Sequence, residues 1–296
     1  MLYLIGSIVL TSYLTLCFKV IEKYHIEPFQ AIMFNHFTCI VTGCFFNGST
    51  PFHESTFHEP WFKYALLMGV MFISIFNIVG FTTQKIGVAV ASVANKLSLV
   101  IPFCFSVYLY SEKISALKII GIVVALMSIV LTCLPARSNN QEAKASKIKP
   151  LLLILVPAVL FFSSGLLDTL IKYVEQGFLN NKNSYNQYMI TAFASAGIIG
   201  SIVLAFLLLT GKQKFSYKSI IAGVCIGFPN YFSIWCLVKV LKSNAGNSSA
   251  IIPINNMGIV LFSSVTAWLI FKERLSAINW IGIILSLGAI ALIAYG

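Results

Sequence analysis

A lysine stands in the middle of an apolar run. Lys96 lies in Ala94-Asn95-Lys96-Leu97-Ser98, within the run 88–110. It is three residues from the run's centre, or roughly 5 Å at 1.5 Å per residue. A lysine at that depth of a bilayer costs at least ~2.5–3.5 kcal/mol, so it must face a bundle interior or a wet cavity. An ammonium group in such a place attracts a carboxylate or a phosphate. The other reading is a buried ion pair, or a carbonyl-capped lysine that fixes helix packing. Asp168, the sole aspartate, lies in a second apolar run, four residues before Lys172. It can pair with Lys96, carry a proton as a coupling group, or sit in headgroup water.

Polar residues in other apolar runs extend the candidate set. Asn77, Asn95, Asn230 and Asn256 each stand where an unbonded amide is costly. They can donate to a substrate or to a neighbouring helix. Trp235 is deep enough in its run to stack on a substrate ring or to pack. Trp61, Trp268 and Trp280 fall at or near run ends, as interfacial anchors do. Pro102, Pro229 and Pro253 remove backbone hydrogen bonds inside runs and read as hinges or as fixed kinks. His36 reads as a satisfied polar contact rather than a proton relay. His53-Glu54-Ser55-Thr56-Phe57-His58 has one residue too many for the zinc protease spacing and is flanked by prolines. No metal is expected. There is also no phosphate-binding glycine loop and no nucleophile–base pair, so no cofactor, no ATP-driven step and no enzyme activity are expected.

The elements that must position these residues follow from composition. The chain has 296 residues, 58% hydrophobic and only 10% charged. A soluble domain is about a quarter charged, so disorder, a coiled coil and an ordinary cytosolic enzyme are excluded. Ten apolar runs can be drawn: 2–21, 28–46, 61–83, 88–110, 117–134, 151–173, 187–210, 220–241, 249–271 and 278–295. Each is long enough, at about 20 residues, to cross a bilayer. The expected fold is therefore all-α and integral to a membrane, with ten transmembrane helices. The first run has no basic region before it and no small-residue cleavage site, and is expected to be a retained helix. The seven cysteines all lie in apolar runs without CxxC spacing and read as packing residues. The net charge of +11 reads as topology and lipid contact, not nucleic-acid binding.

The runs repeat. Residues 1–135 and 150–296 form two five-helix halves, joined by the polar linker 136–149. SEKISALKIIGIVV near residue 112 matches KERLSAINWIGIIL near residue 273, which aligns Glu112 with Glu273, Ser115 with Ser276 and Gly121 with Gly282. Lys19-Val20-Ile21-Glu22 matches Lys172-Tyr173-Val174-Glu175, Asn77 matches Asn230, and Asn95 matches Asn256. Five is odd, so the second half enters the membrane in the opposite sense. Inverted repeats of this kind place a binding site at the midplane and open it alternately to each side.

Each half carries a short acidic-basic turn after its fourth run, Ser111-Glu112-Lys113-Ile114-Ser115 and Lys272-Glu273-Arg274-Leu275-Ser276, and a glycine early in its fifth. On these features the chain resembles EamA-type transporters of the drug/metabolite transporter superfamily. Of that family's usual tryptophan-glycine pair in the first helix of each half, only Gly165 is present. The resemblance implies a central cavity lined mainly by the third, fourth, eighth and ninth helices, with help from the first and sixth. It also implies movement of small organic solutes. The expected function is thus a secondary transporter, an exporter, of an anionic or zwitterionic metabolite such as an amino acid. The alternative is proton-coupled efflux of cationic drugs. It rests on relatives that carry a carboxylate in the first helix, since Asp168 lies in the repeat-equivalent sixth. The expected partners are the substrate, the lipid bilayer and protons as coupling ion. Orientation has two conflicting expectations. The linker side carries 12 Lys and Arg against 7 on the other, which places the linker in the cytoplasm. The resemblance places the termini there instead.

Overall fold

The structure, a computed structural model, describes residues 2–48, 50, 53–110, 115–134, 150–179, 182–243 and 248–295. The expected linker and the turn residues 111–114, including Glu112 and Lys113, lie outside them. The described residues form helices α1 (Leu2–Lys23), α2 (Pro28–Asn47), α3 (Glu54–Phe57), α4 (Phe62–Lys85), α5 (Val88–Leu97) and α6 (Val100–Tyr110). They continue as α7 (Ala116–Cys133), α8 (Pro150–Phe178), α9 (Lys182–Leu209), α10 (Tyr217–Ser243), α11 (Ser248–Ile270) and α12 (Ala277–Tyr295). Nine candidate membrane spans lie among the described residues, and Ala277–Ile293 is a shorter apolar helix beside them. The chain is an integral, multi-pass membrane protein.

Local chemistry sets the helix ends. Pro28 opens α2, where its missing N–H has no intrahelical partner to lose. Gly48 closes it at φ 67, a left-handed turn that favours glycine. Ser115 caps α7 by accepting the Lys118 N–H at 3.2 Å. Its repeat match Ser276 caps α12, accepting the Asn279 N–H at 3.2 Å. The repeated serines are therefore helix caps.

The fourth run differs from expectation, because it is two helices. α5 ends at Leu97 and α6 begins at Val100. Pro102 supplies the physical reason: it has no N–H to offer the Ser98 carbonyl. That carbonyl instead accepts from Ile101 at 2.9 Å in a tight turn. Pro229 and Pro253, by contrast, lie inside continuous helices α10 and α11. Trp61 also departs from expectation. It is 1% exposed and packs edge-on against Tyr188, a core residue rather than an interfacial anchor.

The strongest helix packings obey an exchange rule. Substitute α1 for α8, α2 for α9, α4 for α10, the α5–α6 pair for α11, and α7 for α12. The α2–α10 packing then becomes α9–α4, and α1–α10 becomes α8–α4. The α7–α12, α2–α9 and α5–α11 packings map onto themselves. Single residues obey it too. A Cβ on Gly121 would stand 3.1 Å from the Ile293 nitrogen, and one on Gly282 would stand 2.7 Å from the Thr132 nitrogen. The Gly121–Gly282 and Thr132–Ile293 separations are the same, 161 residues.

Candidate functional site

The break between α5 and α6 frames the candidate site. It brings the C-terminal end of one half-helix and the N-terminal end of another to mid-membrane depth, as the discontinuous helices of transporters do. Lys96 lies in the last turn of α5, where the partial negative charge of the helix end favours a cation. Ser98, at the break, turns its hydroxyl back onto the Asn95 carbonyl at 2.5 Å. Gly165 of α8 faces the break. A Cβ there would stand 2.5 Å from Cδ1 of Ile101, so only glycine lets α8 come this close.

That approach brings Asp168 to Lys96. The Asp168 carboxylate lies beside the Ser98 hydroxyl and within Coulombic reach of the ammonium. The two charges do not close an ion pair within 4.0 Å. By accessible surface Asp168 is exposed and Lys96 is half-buried.

The other candidates are distributed differently. Asn95 and Asn256 stand on α5 and α11, which pack together. Both are half-buried, and neither side-chain amide is engaged in a hydrogen bond among the described residues. Asn255 is buried with its Oδ1 unpartnered. Asn230 is buried and donates to Asn35 Oδ1 at 3.1 Å, joining α10 to α2. Asn77 donates to its own helix at the Ile73 carbonyl, 2.6 Å away. It also lines a cleft of about 540 Å³ with Phe29, Phe81, Gln84, Val159 and Gln213. Val159 precedes Asp168 by nine residues, which is half a turn in phase on a helix, so this cleft lies on the far side of α8 from Asp168. Trp235 meets Tyr3 at 5.7 Å, Phe232 at 6.1 Å and the Lys239 ammonium at 5.2 Å. The structure thus brings Lys96 and Asp168 together, with Asn95 beside them in sequence. It places Asn77, Asn230 and Trp235 in other contacts.

Two features were not read from the sequence. Glu273 accepts the Val88 N–H at 2.9 Å, and so caps α5 from the turn between α11 and α12. The match of its turn to residues 111–115 signalled importance but not this partner. His36 is fully buried among Phe72, Phe76 and Phe193, with ring centroids 5.5–6.2 Å away. Neither of its nitrogens has a partner among the described residues, contrary to the satisfied contact expected. His53 and His58 stand at opposite ends of the single turn α3. The seven cysteines are free thiols.

A multi-pass bundle with a broken helix carrying charge at mid-depth has the architecture of a membrane transporter. The chain belongs to the EamA-like transporter family, which it matches over residues 1–134 and 149–295. It is 30% identical to an uncharacterized protein of Haemophilus influenzae, over 99% of this chain and 97% of that one. A solved crystal structure shares the fold with a TM-score of 0.60 at 15% identity, covering 98% of this chain and 94% of the other.

Proposed function

We propose that the chain is a secondary exporter of a small zwitterionic metabolite of the amino-acid type. In this reading residues 1–135 and 150–296 are inverted repeats that rock about a central cavity, and the exchange rule in helix packing supports them. The observation that carries the substrate class is the Lys96–Asp168 relationship. The two groups carry opposite charge, are accessible, and are too far apart to satisfy each other. A zwitterion inserted between them gives its carboxylate to Lys96 and its ammonium to Asp168. Asn95 and Asn256 retain free amide groups for further hydrogen bonds.

The same pair weighs against cation efflux. A cation at Asp168 meets the Lys96 ammonium, a like charge in a poorly screened place. Proton coupling is a separate matter, for which Asp168 is the candidate carrier. Flux of the proteinogenic amino acids in proteoliposomes tests the proposal. Saturable movement that competes among amino acids supports it. Movement of lipophilic cations alone contradicts it.

A further inference from the structure

Lys96 ends a helix only ten residues long, and the other end of that helix is held from across the bundle. The Glu273 carboxylate accepts the Val88 N–H through Oε1 at 2.9 Å and Oε2 at 3.2 Å. Val88 is the first residue of α5, and Gly87 before it has φ 145, a conformation that strains any L-residue. A Cβ on Gly87 would also stand 3.4 Å from Glu273 Oε2. Lys19 on α1 attracts the carboxylate and Glu22 on the same helix repels it. Those two groups are themselves joined at 3.0 Å, and Lys85 on α4 reaches Glu22 at 3.5 Å. Lys272 and Arg274 flank Glu273 in its own turn. Farther along α5, Ser263 of α11 donates to the Ser92 hydroxyl at 2.8 Å. Both attachments thus come from α11 and the turn that follows it.

We infer that Glu273 is a positioning residue for substrate binding. By anchoring the first turn of α5 to the α11–α12 turn, it sets where Lys96 stands relative to Asp168 and makes α5 move with α11. This rests on Lys96 being a substrate contact. A carboxylate suits the task, since a negative charge at a helix N-terminus is favourable and the first N–H groups lack helical partners. The lever is short and stiff. Ten residues make a rod of about 15 Å, so a tilt of ~5° at Val88 displaces Lys96 by about 1 Å.

Two measurements on the full-length purified protein test the inference. The first is amide hydrogen exchange across residues 86–97, which needs no substrate. Glu273→Gln should speed exchange at 88–91 about tenfold relative to the parent, with Glu273→Asp recovering part of the protection. Unchanged exchange in Glu273→Gln overturns the anchor. The second is a double-mutant cycle, with the proteinogenic amino acids as probes and affinity as the readout. Glu273→Gln should weaken binding about tenfold in the parent and less than twofold in Lys96→Met, because its effect passes through Lys96. Equal losses in both backgrounds overturn the positioning role. If Lys96→Met itself changes no affinity, the substrate reading and the positioning role both fall, and the exchange result still decides the anchor.

Discussion

The side-chain amide of Asn279 donates to the Leu134 carbonyl at 2.8 Å, so the first turn of α12 caps the last turn of α7. The same nitrogen also meets the Thr132 carbonyl at 3.0 Å, while its oxygen accepts the Ser276 N–H at 2.8 Å. One buried residue thereby satisfies the ends of two helices from different halves. Asn279→Leu keeps bulk and leaves those carbonyls unpartnered. It should cost about 1–3 kcal/mol of stability, read as a lower melting temperature in detergent, with affinity for amino acids unchanged in the folded fraction.

Two glycines of α12 predict a contrast. Gly282 packs directly onto α7 at Ser128 and Thr132, whereas Gly288 on the same helix has nothing within 4 Å of a Cβ. Gly282→Leu should destabilise by at least ~1–3 kcal/mol, the range for overpacking a close contact. Gly288→Leu should be nearly neutral. Thermal unfolding of the two variants side by side checks this.

Pro102 predicts a separation of stability from function. Pro102→Ala offers the Ser98 carbonyl a helical N–H in place of its turn contact with Ile101 and favours a continuous fourth span. The variant should melt at or above the parent's temperature, yet bind amino acids about tenfold more weakly, because Lys96 then leaves the end of a half-helix. Pro229→Ala and Pro253→Ala, in helices that are already continuous, should not show this pairing.

Glu273 predicts a pH signature. It lies outside the spans, and burial holds its carboxyl above the usual carboxylate range, although the Val88 and Ala89 N–H groups and Lys19 pull it down. The native state therefore holds this proton to higher pH than the unfolded chain does. Stability from this group is greatest below the unfolded pKa and falls as pH rises through the raised folded value. Glu273→Gln should remove that component, so the difference in melting temperature between variant and parent should grow in the variant's favour across the window. A difference independent of pH contradicts the assignment.

Much of this was legible in the sequence because bilayer physics is restrictive. Apolar length gave the spans, and the cost of burying Lys96 singled it out as a candidate. The Ser115–Ser276 and Gly121–Gly282 matches marked caps and close helix contacts, though their pairings needed three dimensions. The break before Pro102 was missed because three prolines carried the same local signal. The break is packed by Gly165 of α8 against Ile101, a contact far away in sequence. Asn230 illustrates the converse. It aligns with Asn77 in the sequence, but its partner Asn35 lies 195 residues away, and that pairing decides its role in packing.

The central claim is that Lys96 and Asp168 together hold a zwitterion. It is tested most directly by affinity for three forms of one compound: a free amino acid, its N-acetyl derivative and its methyl ester. The parent should bind the free amino acid best. Lys96→Met should lose about 1.5–3 kcal/mol of binding to the amino acid and its N-acetyl form, while affinity for the ester changes little. Asp168→Asn should show the mirror pattern, losing the amino acid and the ester while sparing the N-acetyl form. If both variants bind all three compounds as the parent does, the pair is structural and the account is contradicted.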